Sequence, residues 1–142
     1  WFASPNDGDA PALTVPEDSA MERVIRHLEN ATNRGASITL ILHSDDREKN
    51  LSNLREVWSV FTKKPKVYTW MPSGEHPYTS LHAKCLVVDR LDALVTSANF
   101  TFHGLESNLE LGLRVMGPQA ASIFERFENL IAEGILTEWI NE

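Results

Sequence analysis

The apolar residues of this 142-residue chain switch repeatedly between helical spacing and short unbroken runs, and that alternation limits the fold more than any other feature. Met21, Val24, Ile25, Leu28 and Ala31 fall on one helical face. Ser19 and Glu22 stand at capping-box spacing before them, and Gly35 stands where a helix would end. "SITLILH" (Ser37–His43) is too short and too β-branched for a helix and reads as a buried strand. A second helix is expected from Asn50, burying Leu51, Leu54, Val57, Trp58 and Phe61, with Pro65 beyond its end. "KVYTWM" (Lys66–Met71), "LHAKCLVVD" (Leu81–Asp89), "ALVTSA" (Ala93–Ala98) and "NLELGLRVM" (Asn108–Met116) read as strands, with the loop "PSGEHPYTS" after the first. Pro118 opens a last helix that should bury Ala121, Ile123, Phe124, Phe127, Leu130 and Ile131 before Gly134. Residues 1–18 read as loop, and "WFASP" looks like the end of a truncated strand. Strands interleaved with helices predict an α/β fold, a mixed β-sheet flanked by helices.

The length suits a single domain, residues 1–142, with its N-terminal end expected to be truncated because the chain opens on Trp1. With 42% apolar residues there is material for one core, so disordered, collagen-like and disulfide-scaffold classes are excluded. The lone cysteine, Cys85, has no partner for a bridge and reads as a small buried apolar residue. No apolar run approaches the roughly 20 residues of a membrane helix, so membrane insertion is not expected and a cytoplasmic location is. The net charge of −7 runs against bulk electrostatic capture of nucleic acid. The charge is uneven, however. Residues 1–30 set six acidic against two basic side chains, and residues 118–142 five against one. From His43 to Lys66 six basic residues outnumber four acidic ones, so a polyanion would sit near the middle of the chain.

The chemistry concentrates between His82 and Glu110. On a strand, His82 and Lys84 would share one face, where a buried cation is costly unless it meets an anion. Ser97 and Asn99 have the same spacing at the end of the next predicted strand, reached through the tight "RLDA" connection. If the two strands form a hairpin, His82, Lys84, Ser97 and Asn99 converge on one rim. An imidazole, a fixed positive charge, a hydroxyl and an amide together suit a phosphate group. Taken singly, each has an ordinary explanation. Lys84 can snorkel from a strand end, His82 can be a satisfied core histidine, and Ser97 and Asn99 can open a turn.

The joint spacing decides between these readings. "HAKCLVVD" followed by "TSAN" resembles the H-x-K-x-x-x-x-D … G-S-x-N signature of the phospholipase D superfamily, matched by His82, Lys84, Asp89, Ser97 and Asn99. Glu110, eleven positions after Asn99, stands where the family often carries the Glu of N-x-E. The run "LVTSANFTFHGLESNLELGLRV" is similar to bacterial members with "SANFT" or "SANLT", and the likeness extends from about Phe2 to Leu136. It implies a phospholipase D-like half with one motif per chain, closest in character to small members associated with phage defence. It also implies a metal-independent phosphodiesterase needing no cofactor. His82 would attack phosphorus to give a phosphohistidine while a second histidine protonates the leaving oxygen. Lys84, Ser97 and Asn99 would bind the phosphate, Glu110 would orient His82, and Asp89 would hold the strand end or pair with a base from a partner. One position departs from the pattern: Thr96 stands where the family has glycine.

Two histidines are needed and one motif is present, since His27, His43, His76 and His103 lack a lysine two residues on. The expectation is therefore a homodimer with two His82 residues across a two-fold axis, or a second motif in a longer chain. Nucleic acid is the expected substrate. The rivals are a phospholipid-directed hydrolase or transferase, against which both long helices carry acid on their polar faces, and a catalytically silent DNA-binding or dimerisation module, which Thr96 motivates. Other features weigh less. His43, Asp45 and Asp46 lack a second ligand pair at metal spacing. "KKPK" is ordinarily a solvated turn, although beside the site it would guide a nucleic-acid backbone. Trp70, His76 and Tyr78 flank or occupy the loop before His82, where they can roof the site, with Trp70 expected in the core.

Overall fold

The computed structural model describes residues 19–44, 61–71, 80–101 and 103–140. The helix expected from Asn50, the "WFASP" segment, Asp45, Asp46, His76 and Tyr78 lie outside the described residues. Helix α1 (Ala20–Asn33) starts where its sequence predicts, because Ser19 Oγ accepts the Glu22 amide at 3.1 Å and satisfies an otherwise orphaned donor. A second acceptor arrives from far along the chain, as the Glu106 carboxylate takes the Ala20 amide. Gly35, at φ 98°, supplies the left-handed residue that ends the helix.

Strand β1 (Thr39–His43) pairs in parallel with β2 (Lys66–Trp70), and β6 (Thr137–Glu138) lies antiparallel on the far side of β2. Leu42 and Val67 are fully buried here, with Met21, Ile25, Phe61 and Leu136 in the same core set. A parallel pair covered in this way needs continuous apolar runs, which is how "SITLILH" reads.

Strands β3 (Cys85–Val88), β4 (Asp92–Thr96) and β5 (Gly112–Met116) form an antiparallel meander, covered on one face by α2 (Pro118–Ala132). Pro118 sits in the first turn of α2, where its missing N–H costs nothing. The three-residue β3–β4 connection Asp89–Leu91 places both Asp89 (φ 53°) and Arg90 (φ 59°) in the left-handed region, closed by the Leu91 amide donating to the Val88 carbonyl at 3.0 Å. The Arg90 guanidinium lies 4.4 Å from the centre of the Phe124 ring and so ties that turn to α2.

The α/β class with a mixed sheet holds, but the strands divide between two three-stranded sheets where one was expected. Three strands are also shorter than their apolar runs. Leu81–Lys84, Ser97–Ala98 and Asn108–Leu111 lie outside the ladders. At those ends Thr96, Ser97 and Lys84 give their side chains to nearby backbone, which competes with strand extension. On α2 only Ala120 is fully buried, while Ala121, Ile123, Phe124, Phe127, Leu130 and Ile131 are half-buried. A three-stranded meander is too narrow to cover the whole apolar stripe of a helix. The opposite sheet face leaves Leu86, Val88, Leu94 and Met116 exposed, crossed by an Arg114–Asp92 ion pair that lowers the aspartate pKa and raises that of the arginine.

Candidate active site

His82 and Lys84 occupy the extended segment that leads into β3. The Lys84 carbonyl accepts the Thr96 amide at 3.0 Å, so this segment is anchored to the end of β4. The Lys84 side chain doubles back, donating to the His82 carbonyl at 3.0 Å and placing Nζ 3.3 Å from His82 Nδ1. The two side chains therefore meet as expected, although the cause is this fold-back and not strand alternation. An ammonium has no lone pair, so the contact fits the imidazole tautomer protonated on Nε2.

The second half of the site follows β4. The Ser97 amide donates to the Leu111 carbonyl at 3.0 Å, and the Leu111 amide returns a bond to Ser97 Oγ at 3.1 Å. Ser97 Oγ in turn donates to Glu110 Oε2, and Asn108 Nδ2 donates to Glu110 Oε1 at 3.2 Å. The Ser97 hydroxyl first, then the Asn108 amide, hold the Glu110 carboxyl below its ordinary value, and the positive charge of Lys84 acts in the same direction. That charge links the two halves, because it bears on both the imidazole and the carboxylate. Glu110 was expected to orient His82. Its carboxylate instead serves Ser97 and Asn108.

Asn99 is half-buried, and among the described residues its buried Oδ1 has no hydrogen-bond partner. Such an atom costs about 1–3 kcal/mol until a donor reaches it. Its backbone is closely packed. A Cβ on Gly104, in the π-helical turn His103–Ser107, would come within 2.3 Å of the Asn99 carbonyl oxygen. Glycine is required at Gly104 for that approach.

Asp89 does not join this group. It lies in the hairpin turn at the other end of β3, five residues from Lys84 or roughly 16 Å along an extended chain. Spacing along the sequence cannot show which end of a strand a residue occupies relative to the site. Asn108 and Gly104 also belong to this arrangement, beyond the residues that the sequence pattern names. The N-x-E spacing was a signal for Asn108, and nothing short of the fold signals Gly104.

The remaining candidates are elsewhere. Trp70 pairs across strands with His43, their ring centres 5.8 Å apart, so it belongs to the first sheet. Cys85 borders an apolar groove under α2 with Val95, Ile123 and Phe127, and burial pushes its thiol pKa up. Lys63 and Lys64 are exposed just before β2. No helix among the described residues is long and apolar enough to cross a membrane.

Comparison with known proteins settles the family. A family model described as "Cardiolipin synthase, PLD-like domain" matches residues 12–131, most of the chain. The chain belongs to the phospholipase D-like family. It is 35% identical over 109 residues to the DISARM protein DrmC of Bacillus paralicheniformis, an alignment covering 75% of this chain and 41% of that one. The phospholipase D-like chain thus spans about two-fifths of that relative's length. Its fold is similar to the crystal structure of Nuc, a phospholipase D family member from Salmonella typhimurium, with a TM-score of 0.62 at 17% identity over 83% of this chain and 74% of that one. In this phospholipase D-like fold the segment entering β3, with His82 and Lys84, and the turn leaving β4, with Ser97 and Asn99, are joined by the bond between the Thr96 amide and the Lys84 carbonyl.

Proposed function

We propose that this chain supplies half of a metal-independent phosphodiesterase, a nuclease that cleaves nucleic-acid phosphodiesters through a phosphohistidine on His82. The reading rests above all on one observation: the Lys84 ammonium bears on both the His82 ring and the Glu110 carboxylate. A fixed cation and hydrogen-bond donors around an imidazole stabilise the charge that gathers on phosphoryl oxygens during transfer. His82 Nε2 attacks phosphorus, the P–N bond forms, and the P–O bond to the leaving nucleoside breaks. The leaving oxygen takes its proton from His82 of a second copy, which then removes a proton from water as the water displaces the first imidazole. For the attack, the ring proton must move from Nε2 to Nδ1, which frees the nucleophilic lone pair. Similarity to a DISARM protein supports a role in defence against phage.

The test compares wild type and His82→Ala on labelled single-stranded DNA with EDTA present, and traps phosphate on the protein by acid-free quenching. Cleavage in EDTA, lost in His82→Ala and accompanied by acid-labile phosphate on His82, is the expected result. Activity that survives His82→Ala removes the nucleophile, and activity abolished by EDTA removes the metal-free route.

A further inference from the structure

Thr96 stands at the junction of all three pieces of the candidate site. Its amide donates to the Lys84 carbonyl at 3.0 Å, which holds the His82–Lys84 segment. Its Oγ1 accepts the Ala98 amide at 3.1 Å, closing the turn that carries Ser97 and Asn99. The same hydroxyl donates to the Leu111 carbonyl at 3.4 Å, alongside the Ser97 amide that donates to that carbonyl at 3.0 Å. Opposite Thr96 in the β4–β5 ladder is Gly112, where a Cβ would come within 3.2 Å of Thr96 Cβ, Thr96 Oγ1 and the Val95 carbonyl. A side chain at that position would press on the threonine hydroxyl. Gly112 leaves it room.

We propose that Thr96 is a positioning residue, its hydroxyl tying the Ser97–Asn99 turn to the Glu110–Leu111 segment in the space left by Gly112. A glycine in its place supplies the amide bond to Lys84 but no side-chain tie, leaving the turn to be held by Ser97 alone. Thr96 is therefore not a lesion in the signature. It substitutes a short side-chain-to-backbone bond for the conformational freedom of glycine, and the ordered turn sets where Asn99 presents its amide. This role rests on the phosphodiesterase reading, but the tie itself has a readout independent of activity.

The experiment compares wild type with Thr96→Ser, which keeps the hydroxyl, and Thr96→Val, which keeps the shape and loses it. Thr96→Ala replaces the valine variant if that one does not fold. Hydrolysis of bis(4-nitrophenyl) phosphate and of a labelled single-stranded oligonucleotide gives kcat and KM, and hydrogen exchange is followed at the Ala98 amide. Thr96→Val should lower kcat on the order of 10- to 100-fold with KM little changed, as expected for a displaced reacting geometry. Thr96→Ser should restore it, and Ala98 should exchange faster in the valine variant alone. Gly112→Ala should impair the wild-type background and do so less with Thr96→Gly, which removes the side-chain part of the crowding and leaves only the Val95 carbonyl. Wild-type kcat in Thr96→Val, or Ala98 exchange unchanged by it, overturns the proposal. If the wild type hydrolyses neither probe, the phosphodiesterase reading fails, and Ala98 exchange alone decides the tie.

Discussion

Ser97 and Glu110, thirteen residues apart, share a hydrogen bond in which the serine hydroxyl donates to the carboxylate while its oxygen accepts the Leu111 amide. The one proton of the serine is thus committed to the carboxylate, whose pKa is lowered by Ser97 and then by Asn108. The pair reads as a fixed wall of the site, with the movable chemistry left to His82 and Lys84.

A depressed folded-state pKa has a definite sign. The favourable contacts of the Glu110 anion are fully present above the ordinary carboxylate range and are lost as pH falls through the lowered folded value. Ser97→Ala removes the largest cause, so the Glu110 titration should move up toward its ordinary value of about 4.3. Carboxyl carbon shifts followed by NMR across the acid range check this, and a titration identical in both proteins would refute the assignment.

Gly104→Ala forces a methyl carbon well inside van der Waals contact with the Asn99 carbonyl oxygen. The backbone must shift, at a cost of about 1–3 kcal/mol. Urea unfolding measures the loss, and the same variant should lose activity out of proportion to it because Asn99 moves. Full activity with full stability would mean that the π-helical turn does not set Asn99.

Asp89 bears the last letter of the H-x-K-x-x-x-x-D half of the signature, yet it serves the hairpin turn at φ 53°. Asp89→Asn and Asp89→Gly should leave turnover unchanged, because both residues accept the left-handed conformation. Asp89→Val should cost about 1–2 kcal/mol of stability while the folded fraction remains active. Loss of kcat in well-folded Asp89→Asn would return this residue to the chemistry.

Two His82 residues must meet for the proposed reaction. Sedimentation at micromolar concentration should therefore find the active species dimeric, and mixing wild type with excess His82→Ala should reduce activity below simple dilution. A monomer that retains turnover contradicts the arrangement.

Much of this was legible along the chain, for local reasons. The Ser19 cap, the Gly35 stop, Pro118 opening α2 and the short apolar strand at Thr39–His43 are decided by neighbours a few residues apart, and they appear where the pattern puts them. The pairing of His82 with Lys84 was legible too, although from the wrong geometry: the fold-back of a flexible lysine replaced the expected alternation along a strand.

What the amino-acid order determined by itself was the α/β class, the family signature and the set of polar residues able to hold a phosphate. Only the tertiary structure decided which of them share a rim. Asp89 left the group because a hairpin places its turn at the end of β3 away from Lys84, and Gly104 and Gly112 entered through contacts between segments that no local pattern encodes. Periodicity reports which face of an element is apolar. It carries no information on where one strand stops against another, and at that stopping point the side chains of Thr96 and Ser97 took over from the ladder.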